Sequence, residues 1–390
     1  MGEGEKSEKK TEKKSKAQRV AEAWAAPPQQ AGPRTLVWQV PLYAVAVQDA
    51  GDGRALLLVG GGGGRAKSGI PNGFKLMHWA EGRLEEAAHV DTGPLLVAHA
   101  ALHPREGIAA LSMEGECRLY RWVPAAGRLR VEEAAAVRTE EEEGSDQKAA
   151  AFAPDGATLA TAGEGGAVRL WKLAGLLDGA SRPTHTLRLG HAANGLAFSA
   201  DGSLLLATSL AGHAAVWQVE DGRPLRRLQP AACSPPRAFL RGGCFVAAAA
   251  VVGQGKARAG SHLVAWSAAE EEAPPLHSAR LAGPHHHTAL ASLSLDGGDS
   301  ALVACAMGEG DLAVVECREG GVSSVMYRTA AHSFIVPALA FAPDGRTLFS
   351  VSLDRTLVIT PVKKDRRMQA VALVLGLLLL VAVLAALGYR

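Results

Sequence analysis

AFAPDGATLATAGEGGAVRLW (151–171), AFSADGSLLLATSLAGHAAVW (197–217) and AFAPDGRTLFSVSLDRTLVIT (340–360) are three copies of one pattern. Each copy has an apolar run ending in Phe, an Asp-Gly pair, and two more apolar runs separated by a short turn. Asp-Gly favours a two-residue type I′ hairpin. Each copy therefore predicts three consecutive antiparallel strands.

The copies repeat with a period that identifies the architecture. Phe152 and Phe198 are 46 residues apart, and Phe341 follows Phe198 after 143 residues, close to three further units. The tryptophans keep the same interval, with spacings of 43, 49, 46 and 49 residues across Trp79, Trp122, Trp171, Trp217 and Trp266. One four-stranded propeller blade has about 40–50 residues. We predict an all-β fold, a seven-bladed WD-repeat-like β-propeller over residues 34–362, with the Phe and Trp side chains in its core.

Some details of the repeat are degenerate. The Trp-Asp pair of WD-type repeats is absent, although Gly190–His191 and Asp354 resemble their structural hydrogen-bonding residues. Because the copies between Phe198 and Phe341 are weak, a count of six blades is the alternative. The segment TLVWQV (35–40) is a strand left over at the front, and we expect it to pair into the last blade and close the ring.

The two ends of the chain differ in composition from the repeats. Residues 1–33 are rich in Lys, Glu, Ala, Gln and Pro and predict a disordered charged tail. Residues 370–388 carry no charge and, as a helix, span about 28 Å, close to the hydrocarbon thickness of a bilayer. Basic residues at 363–369 precede this run, and only residues 389–390 follow it. The pattern predicts one C-terminal transmembrane helix, with the propeller in the cytosol and a two-residue lumenal end.

Composition excludes several classes of function. A net charge of +2 without a basic cluster argues against a nucleic-acid partner. The five cysteines include no CxxC pair, as expected for reduced thiols. Three adjacent histidines (285–287) and the acidic run 140–143 are interpreted as solvated loops. No pattern of nucleophile and base appears, so we predict no covalent catalysis and no organic cofactor.

A glycine-rich segment interrupts the first repeat unit. GGGGGRAKSGIPNG (60–73) follows the strand-like ALLLV and precedes the strand-like FKLMHW. A passive flexible loop is one interpretation, because five consecutive glycines are costly to order. A phosphate-binding loop is another, since residues 61–68 nearly spell GxxxxGKS, but that motif requires a following helix. The third is an ordered loop whose backbone approaches a partner or whose carbonyls surround a monovalent cation.

One family resemblance connects these features. VPLY (40–43), the glycine run and KSGIPNG (67–73), in the first unit of a chain ending in an apolar run, resemble the endoplasmic-reticulum exchange factors that load GTP onto the small GTPase initiating COPII coats. That family includes the prolactin regulatory element-binding protein and plant relatives that help phosphate transporters leave the reticulum.

The resemblance implies a site and a location. The loop would project from the propeller, be shaped around a potassium ion and contact the GTPase, with Asn72 essential for exchange and Ile70 an apolar contact. The implied exchange loop consists of Gly60, Gly61, Gly62, Gly63, Gly64, Lys67, Ser68, Gly69, Ile70, Pro71, Asn72 and Gly73. The expected function is nucleotide exchange at the endoplasmic-reticulum membrane. The alternative is a non-exchanging adaptor of the same fold that promotes exit of cargo such as phosphate transporters.

Overall fold

The computed structural model describes residues 24, 26–32, 34–65, 69–179, 182–209, 211, 213–228, 238–239, 244–251, 260–267, 277–280, 287–295, 300–318 and 321–362. The strands in chain order are β1 (Gln29–Gly32), β2 (Thr35–Val37), β3 (Leu42–Gly51), β4 (Arg54–Gly61), β5 (Asn72–Ala80), β6 (Arg83–Gly93), β7 (His99–Leu102), β8 (Ile108–Met113), β9 (Glu116–Ala125), β10 (Arg128–Arg138), β11 (Gln147–Phe152), β12 (Thr158–Gly163), β13 (Ala167–Lys172), β14 (His185–Arg188), β15 (Ala193–Phe198), β16 (Leu204–Ser209), β17 (Ala214–Gln218), β18 (Pro224–Leu228), β19 (Ala238–Phe239), β20 (Cys244–Val251), β21 (Gly260–Ser267), β22 (His277–Arg280), β23 (His287–Leu295), β24 (Ser300–Met307), β25 (Leu312–Arg318), β26 (Gly321–Arg328), β27 (Ala338–Phe341), β28 (Thr347–Val351) and β29 (Thr356–Pro361). A one-turn helix, α1 (Leu173–Leu177), follows β13.

The described strands form six four-stranded antiparallel sheets and one five-stranded sheet. We call the four-stranded sheets blades 1 to 6; they take the strands from β3 to β26 four at a time, in chain order. The five-stranded sheet, here the closing sheet, has the order β27-β28-β29-β2-β1. The first strand of each sheet contacts the first strand of the next, and β27 contacts β3, so the sheets form a closed ring.

The prediction of a seven-bladed propeller with a C-terminal transmembrane helix needs correction, and the alternative count of six blades applies. Only six blades have the predicted four-stranded form, and the closing sheet combines strands from both ends of the described chain. Its strand β2 pairs with β29, in the register Leu36 with Leu357, as expected for the strand left over at the front. Among the described residues no helix is long and apolar enough to cross a bilayer, and residues 363–390 lie outside them.

The predicted tail at residues 1–33 is also corrected, because part of it belongs to the fold. Gln29–Gly32 forms the edge strand β1, paired with β2. Trp24 is buried, with only 1% of its surface exposed. Residues 1–23 lie outside the described part of the chain.

The core lies between neighbouring sheets. Trp79 of blade 1 packs edge-on against Phe349 of the closing sheet, with ring centroids 5.1 Å apart. Phe74 packs in the same way against Tyr120 of blade 2. Such contacts bury large side chains without close-packed parallel rings. The prediction that the repeating tryptophans are core residues is confirmed for Trp79, Trp122, Trp171 and Trp217.

The Asp-Gly turns differ from the predicted two-residue hairpins. Between β11 and β12 the turn runs from Ala153 to Gly156, and the N–H of Gly156 donates to Ala153 O at 2.9 Å. Gly156 has a φ of +80°, whereas Asp155 is not in the left-handed region, so the turn is not type I′. Instead, the carboxylate of Asp155 accepts a hydrogen bond from the N–H of Ala157 at 2.9 Å. The aspartate is therefore a side-chain cap of a longer loop.

Alternating strand direction divides the connections between two faces. In each blade, the connection from the second to the third strand lies at the same end as the connection to the next blade. We call this end the loop face. The glycine-rich segment lies there, because it joins β4 to β5 in blade 1.

Candidate functional site

The glycine-rich loop begins and ends inside a β-sheet. Gly60 and Gly61 are the last residues of β4, and Gly61 is in register with Gly73 of β5. A Cβ added at Gly61 would lie 2.1 Å from the carbonyl oxygen of Pro41. One added at Gly60 would lie 2.6 Å from the side chain of Val97. These two glycines permit close packing, so the irregular loop is limited to residues 62–71.

Gly62 turns the chain out of the sheet. Its φ is +139°, and its N–H donates to Pro41 O at 3.0 Å. The pairing of β5 with β6 shifts register between Asn72 and Gly73. Such bulges redirect side chains at the ends of strands. Here the shift accompanies the burial of the Asn72 side chain under the loop.

Asn72 holds the loop together from the inside. Only 2% of its surface is exposed. Its Oδ1 accepts a hydrogen bond from the N–H of Gly64 at 2.8 Å, and its Nδ2 donates to Gly64 O at 3.3 Å. Nδ2 also donates to Gly93 O, at 3.0 Å, at the end of β6. The side chain is therefore placed to fix the loop's shape from within.

The described segments of the loop include one exposed apolar side chain and one ion pair. Ile70 has 37% of its surface exposed. Arg65 forms an ion pair with Glu114, which lies in the turn between β8 and β9 of blade 2. Burial raises the pKa of Glu114, and the charge of Arg65 opposes that rise. Lys67 and Ser68 of the predicted site lie outside the described residues.

An exposed apolar pair lies on the same face. Phe334 and Ile335, between β26 and β27, have 53% and 40% of their surfaces exposed. The hydroxyl of Ser352 donates to Ile335 O at 2.9 Å. The carbonyl of Ser352 accepts from the N–H of Leu42, the residue after Pro41, at 3.2 Å. Hydrogen bonds through Ser352 thus connect this pair to Leu42, next to Pro41, whose carbonyl accepts from Gly62 at the start of the loop.

Asp354 and His191, which were predicted to be structural, lie on the loop face, and so does His332, which was not predicted. Asp354 accepts hydrogen bonds from the N–H groups of Thr356 and Ser333, at 2.9 Å and 2.8 Å, which confirms its structural role. The buried His332 contacts the hydroxyls of Thr356 and Ser350. The ring of His191 stacks on that of His213, with centroids 3.5 Å apart.

The acidic run at 140–143 was predicted to be solvated, and for Glu140 this is wrong. Glu140 is 2% exposed, and its carboxylate accepts a hydrogen bond from the N–H of Gly165 at 2.8 Å. Arg169 lies 3.8 Å from Glu140 and forms a closer ion pair with Glu141 at 2.8 Å. Burial raises the pKa of Glu140, while the Gly165 hydrogen bond and Arg169 oppose it. A carboxylate here is held in the fold rather than exposed to ligands.

The chemistry of the loop limits which ligands fit it. The strand β5 follows the loop, so no helix N-terminus is present to bind a phosphate as the P-loop interpretation requires. In the described part of the chain no three His, Cys, Asp or Glu side chains come together as a metal site. The oxygens around Asn72 are its own Oδ1 and the carbonyls of Gly64 and Gly93, each of which accepts a hydrogen bond, and such neutral oxygens are the type of ligand suited to potassium.

Three described cysteines form no disulfide and are buried in the blades, namely Cys117, Cys305 and Cys317. Burial raises the pKa of Cys117 to about 12. Such a thiol is not a nucleophile at neutral pH.

Two residues that support the loop from below, Trp24 and Lys75, were not predicted as part of the site. Trp24 was assigned to the tail, yet its Nε1 donates to Pro71 O at 3.3 Å. Lys75 is fully buried and forms an ion pair with Glu86. A lysine inside an otherwise apolar strand was the one available signal, because a buried charge requires a partner.

Comparison with known proteins supports the repeat and the fold. Three segments match the family model described as WD domain, G-beta repeat, at residues 141–172, 181–218 and 323–359. Each segment ends in the third strand of a sheet, and the last two begin around the outermost strand of the preceding sheet. These segments overlap the three copies recognised from the sequence, so the chain contains WD40 repeats.

A solved structure is similar over most of the chain. A chain of the structure titled "Crystal Structure of Mitotic Checkpoint Complex" has a TM-score of 0.62 and 14% sequence identity. The match covers 87% of the present chain and 98% of that chain. At this identity the similarity shows the propeller fold alone. No curated protein matches the sequence.

Proposed function

We propose that this WD40 propeller, a fold that serves as a scaffold for protein interactions, is a guanine-nucleotide exchange factor for the small GTPase of the COPII coat. The observation that carries the proposal is that Asn72 fixes Gly64 from inside the loop, while Ile70 on the described return segment is exposed. The sequence resemblance to the exchange-factor family supplies the partner. No bond in the nucleotide is broken in this function.

The mechanism is differential binding. A loop that holds the nucleotide-free GTPase more tightly than the loaded form lowers the affinity for GDP by the same factor, as linkage requires. A preformed loop loses little conformational entropy on binding. The hydrogen bonds of Asn72 to Gly64 and Gly93 supply that preorganisation.

A potassium ion would complete the loop. The Oδ1 of Asn72 and the carbonyls of the glycines at 62–64 are oxygens of the kind it prefers, whereas the nearby carboxylate of Glu114 is paired with Arg65. These oxygens would hold the ion, which would supply a positive charge at the base of the loop. The residues of the chain would still make every contact with the GTPase.

The location that belongs to this function is the cytosolic surface of the endoplasmic-reticulum membrane. The supporting feature is the uncharged stretch at 370–388 with basic residues before it. Imaging of the full chain, tagged at its N-terminus, should show overlap with a reticulum marker. A uniform cytosolic signal would contradict the location.

The central test is a GDP-release assay with the full chain and the COPII GTPase. Asn72→Ala removes three part-buried hydrogen bonds, two to Gly64 and one to Gly93, each with a net contribution of about 0.5–1.5 kcal/mol. We expect the rate of stimulated release to fall at least about tenfold. A potassium contribution predicts faster release by the wild-type chain in KCl than in NaCl of equal ionic strength.

Asn194→Ala is the matched control, since Oδ1 of Asn194 in blade 4 accepts no hydrogen bond from the described residues. This variant should stimulate release like the wild type. Wild-type rates from a folded Asn72→Ala variant would refute the role of Asn72. A wild-type chain that binds the GTPase or a cargo without accelerating release would instead identify the adaptor.

A further inference from the structure

The N-terminal segment packs directly beneath the return stem of the glycine-rich loop. Trp24 contacts Trp38 edge-on, with ring centroids 5.7 Å apart and an interplanar angle of 63°. Both belong to the apolar cluster between the closing sheet and blade 1. The segment is therefore part of the core at this position.

Trp24 holds the loop through one specific hydrogen bond. Its indole N–H donates to the carbonyl of Pro71, the residue immediately before Asn72. A Cβ added at Gly73 would lie 3.0 Å from this nitrogen and 2.5 Å from Val90 O. Because Gly73 has no side chain, the indole ring of Trp24 can pack directly against the backbone of β5 at this position.

Lys75 of β5, two residues after Gly73, makes a second contact with the N-terminal segment. The Nζ of Lys75 donates to Ala26 O at 2.9 Å and pairs with Glu86. The ammonium also lies 5.6 Å from the centroid of the Trp38 ring. A fully buried ammonium requires several such partners, and the N-terminal segment supplies one. The two contacts of this segment are with Pro71 and Lys75, on either side of Asn72.

We propose that residues 24 and 26–32 act as a clamp that sets the conformation of the exchange loop, with Trp24 as its positioning residue. Without the clamp, Pro71 loses its hydrogen bond from Trp24, and the adjacent Asn72 becomes more mobile. The hydrogen bonds between Asn72 and Gly64 then open more often. The effect on nucleotide exchange rests on the proposed function. The effect on the loop does not.

The test compares Trp24→Phe, Trp24→Ala and a matched control in the full chain. Trp24→Phe keeps an aromatic ring but removes the N–H donor. Trp171→Phe removes a buried indole N–H bonded to Thr161 Oγ1 at 2.9 Å in blade 3, remote from the loop. Hydrogen–deuterium exchange of the peptide spanning residues 60–73 reports the loop. GDP release, at varied concentrations of the chain, reports function.

Loss of one buried neutral hydrogen bond should speed deuterium uptake in the loop by about 3- to 10-fold in Trp24→Phe. Trp24→Ala should show a larger effect. The maximal rate of GDP release should fall by a similar factor, and Trp171→Phe should change neither measurement.

Each other outcome has a defined meaning. Unchanged loop protection in both Trp24 variants overturns the clamp. Increased uptake with wild-type GDP release overturns the positioning role in exchange. If the wild-type chain does not accelerate GDP release from the GTPase, the proposed function fails. Faster deuterium uptake in the loop of Trp24→Phe would still support the clamp in that case. If Trp24→Ala does not fold, Trp24→Phe decides the question.

Discussion

Single polar side chains determine the shape of the loop face, and they differ from sheet to sheet. Asn72 ties the loop of blade 1, Glu140 ties the turn of blade 3, and Asp354 ties the turn of the closing sheet. In each case a side-chain oxygen accepts a hydrogen bond from a backbone N–H at the connection between the second and third strands. Buried donors at such turns need a partner, but several residue types can supply it.

The charge of Asp354 should make the closing sheet sensitive to acid. Burial acts to raise the pKa of Asp354, but hydrogen bonds from His332, Thr356 and Ser333 outweigh it and hold the pKa well below its usual range. A depressed pKa means that the charge adds stability above the unfolded value, near 4, and that this contribution is lost as the pH falls further. Asp354→Asn should therefore lower the free energy of unfolding by about 1.5–3 kcal/mol at pH 7.

Urea unfolding followed by tryptophan fluorescence at pH 7, 5 and 3 checks this prediction. The difference between the wild type and Asp354→Asn should be largest at pH 7 and shrink between pH 5 and pH 3. Asp52→Asn is the control, because the Asp52 side chain is 89% exposed and should contribute little at any pH. A difference that stays constant with pH would show that packing, not charge, is responsible.

Among the secondary-structure elements, the strands that can be recognised from a short stretch of sequence were predicted. The copies at 151–171, 197–217 and 340–360 correspond to the first three strands of blades 3 and 4 and to β27–β29. Their short apolar runs, with a turn at a fixed place, can be detected in a short window. The turn type was predicted incorrectly because Pro154 and the cap by Asp155 favour a type I turn with Gly at its last position.

Elements that depend on distant partners were not predictable in this way. The strand β1 has the sequence QQAG, which carries no β signal, and it forms only because β2 presents an edge beside β29. Trp24 stands alone in a charged and alanine-rich segment, so composition assigned it to a tail. The loop itself was recognised from its glycines, whereas the buried orientation of Asn72 depends on Gly93, 21 residues away.

At the scale of the whole molecule, the ring brings separate segments to one face. The glycine-rich loop of blade 1 and the apolar pair Phe334–Ile335 beside the closing sheet are neighbours only because β27 contacts β3. Exposed apolar groups next to an ordered loop are typical of the centre of a protein interface. Under the proposed function, the GTPase should contact both segments.

Replacing Phe334 and Ile335 together by Ser should therefore weaken binding while leaving the loop intact. Truncation of residues at the centre of an interface typically costs about 1–2 kcal/mol or more, so the concentration giving half-maximal GDP release should rise about tenfold. Val123→Ser is the control, because Val123 is similarly exposed, at 38%, but lies towards the opposite end of blade 2. A rise seen equally in the control, or absent from the double variant, would mean that the loop binds its partner without this pair.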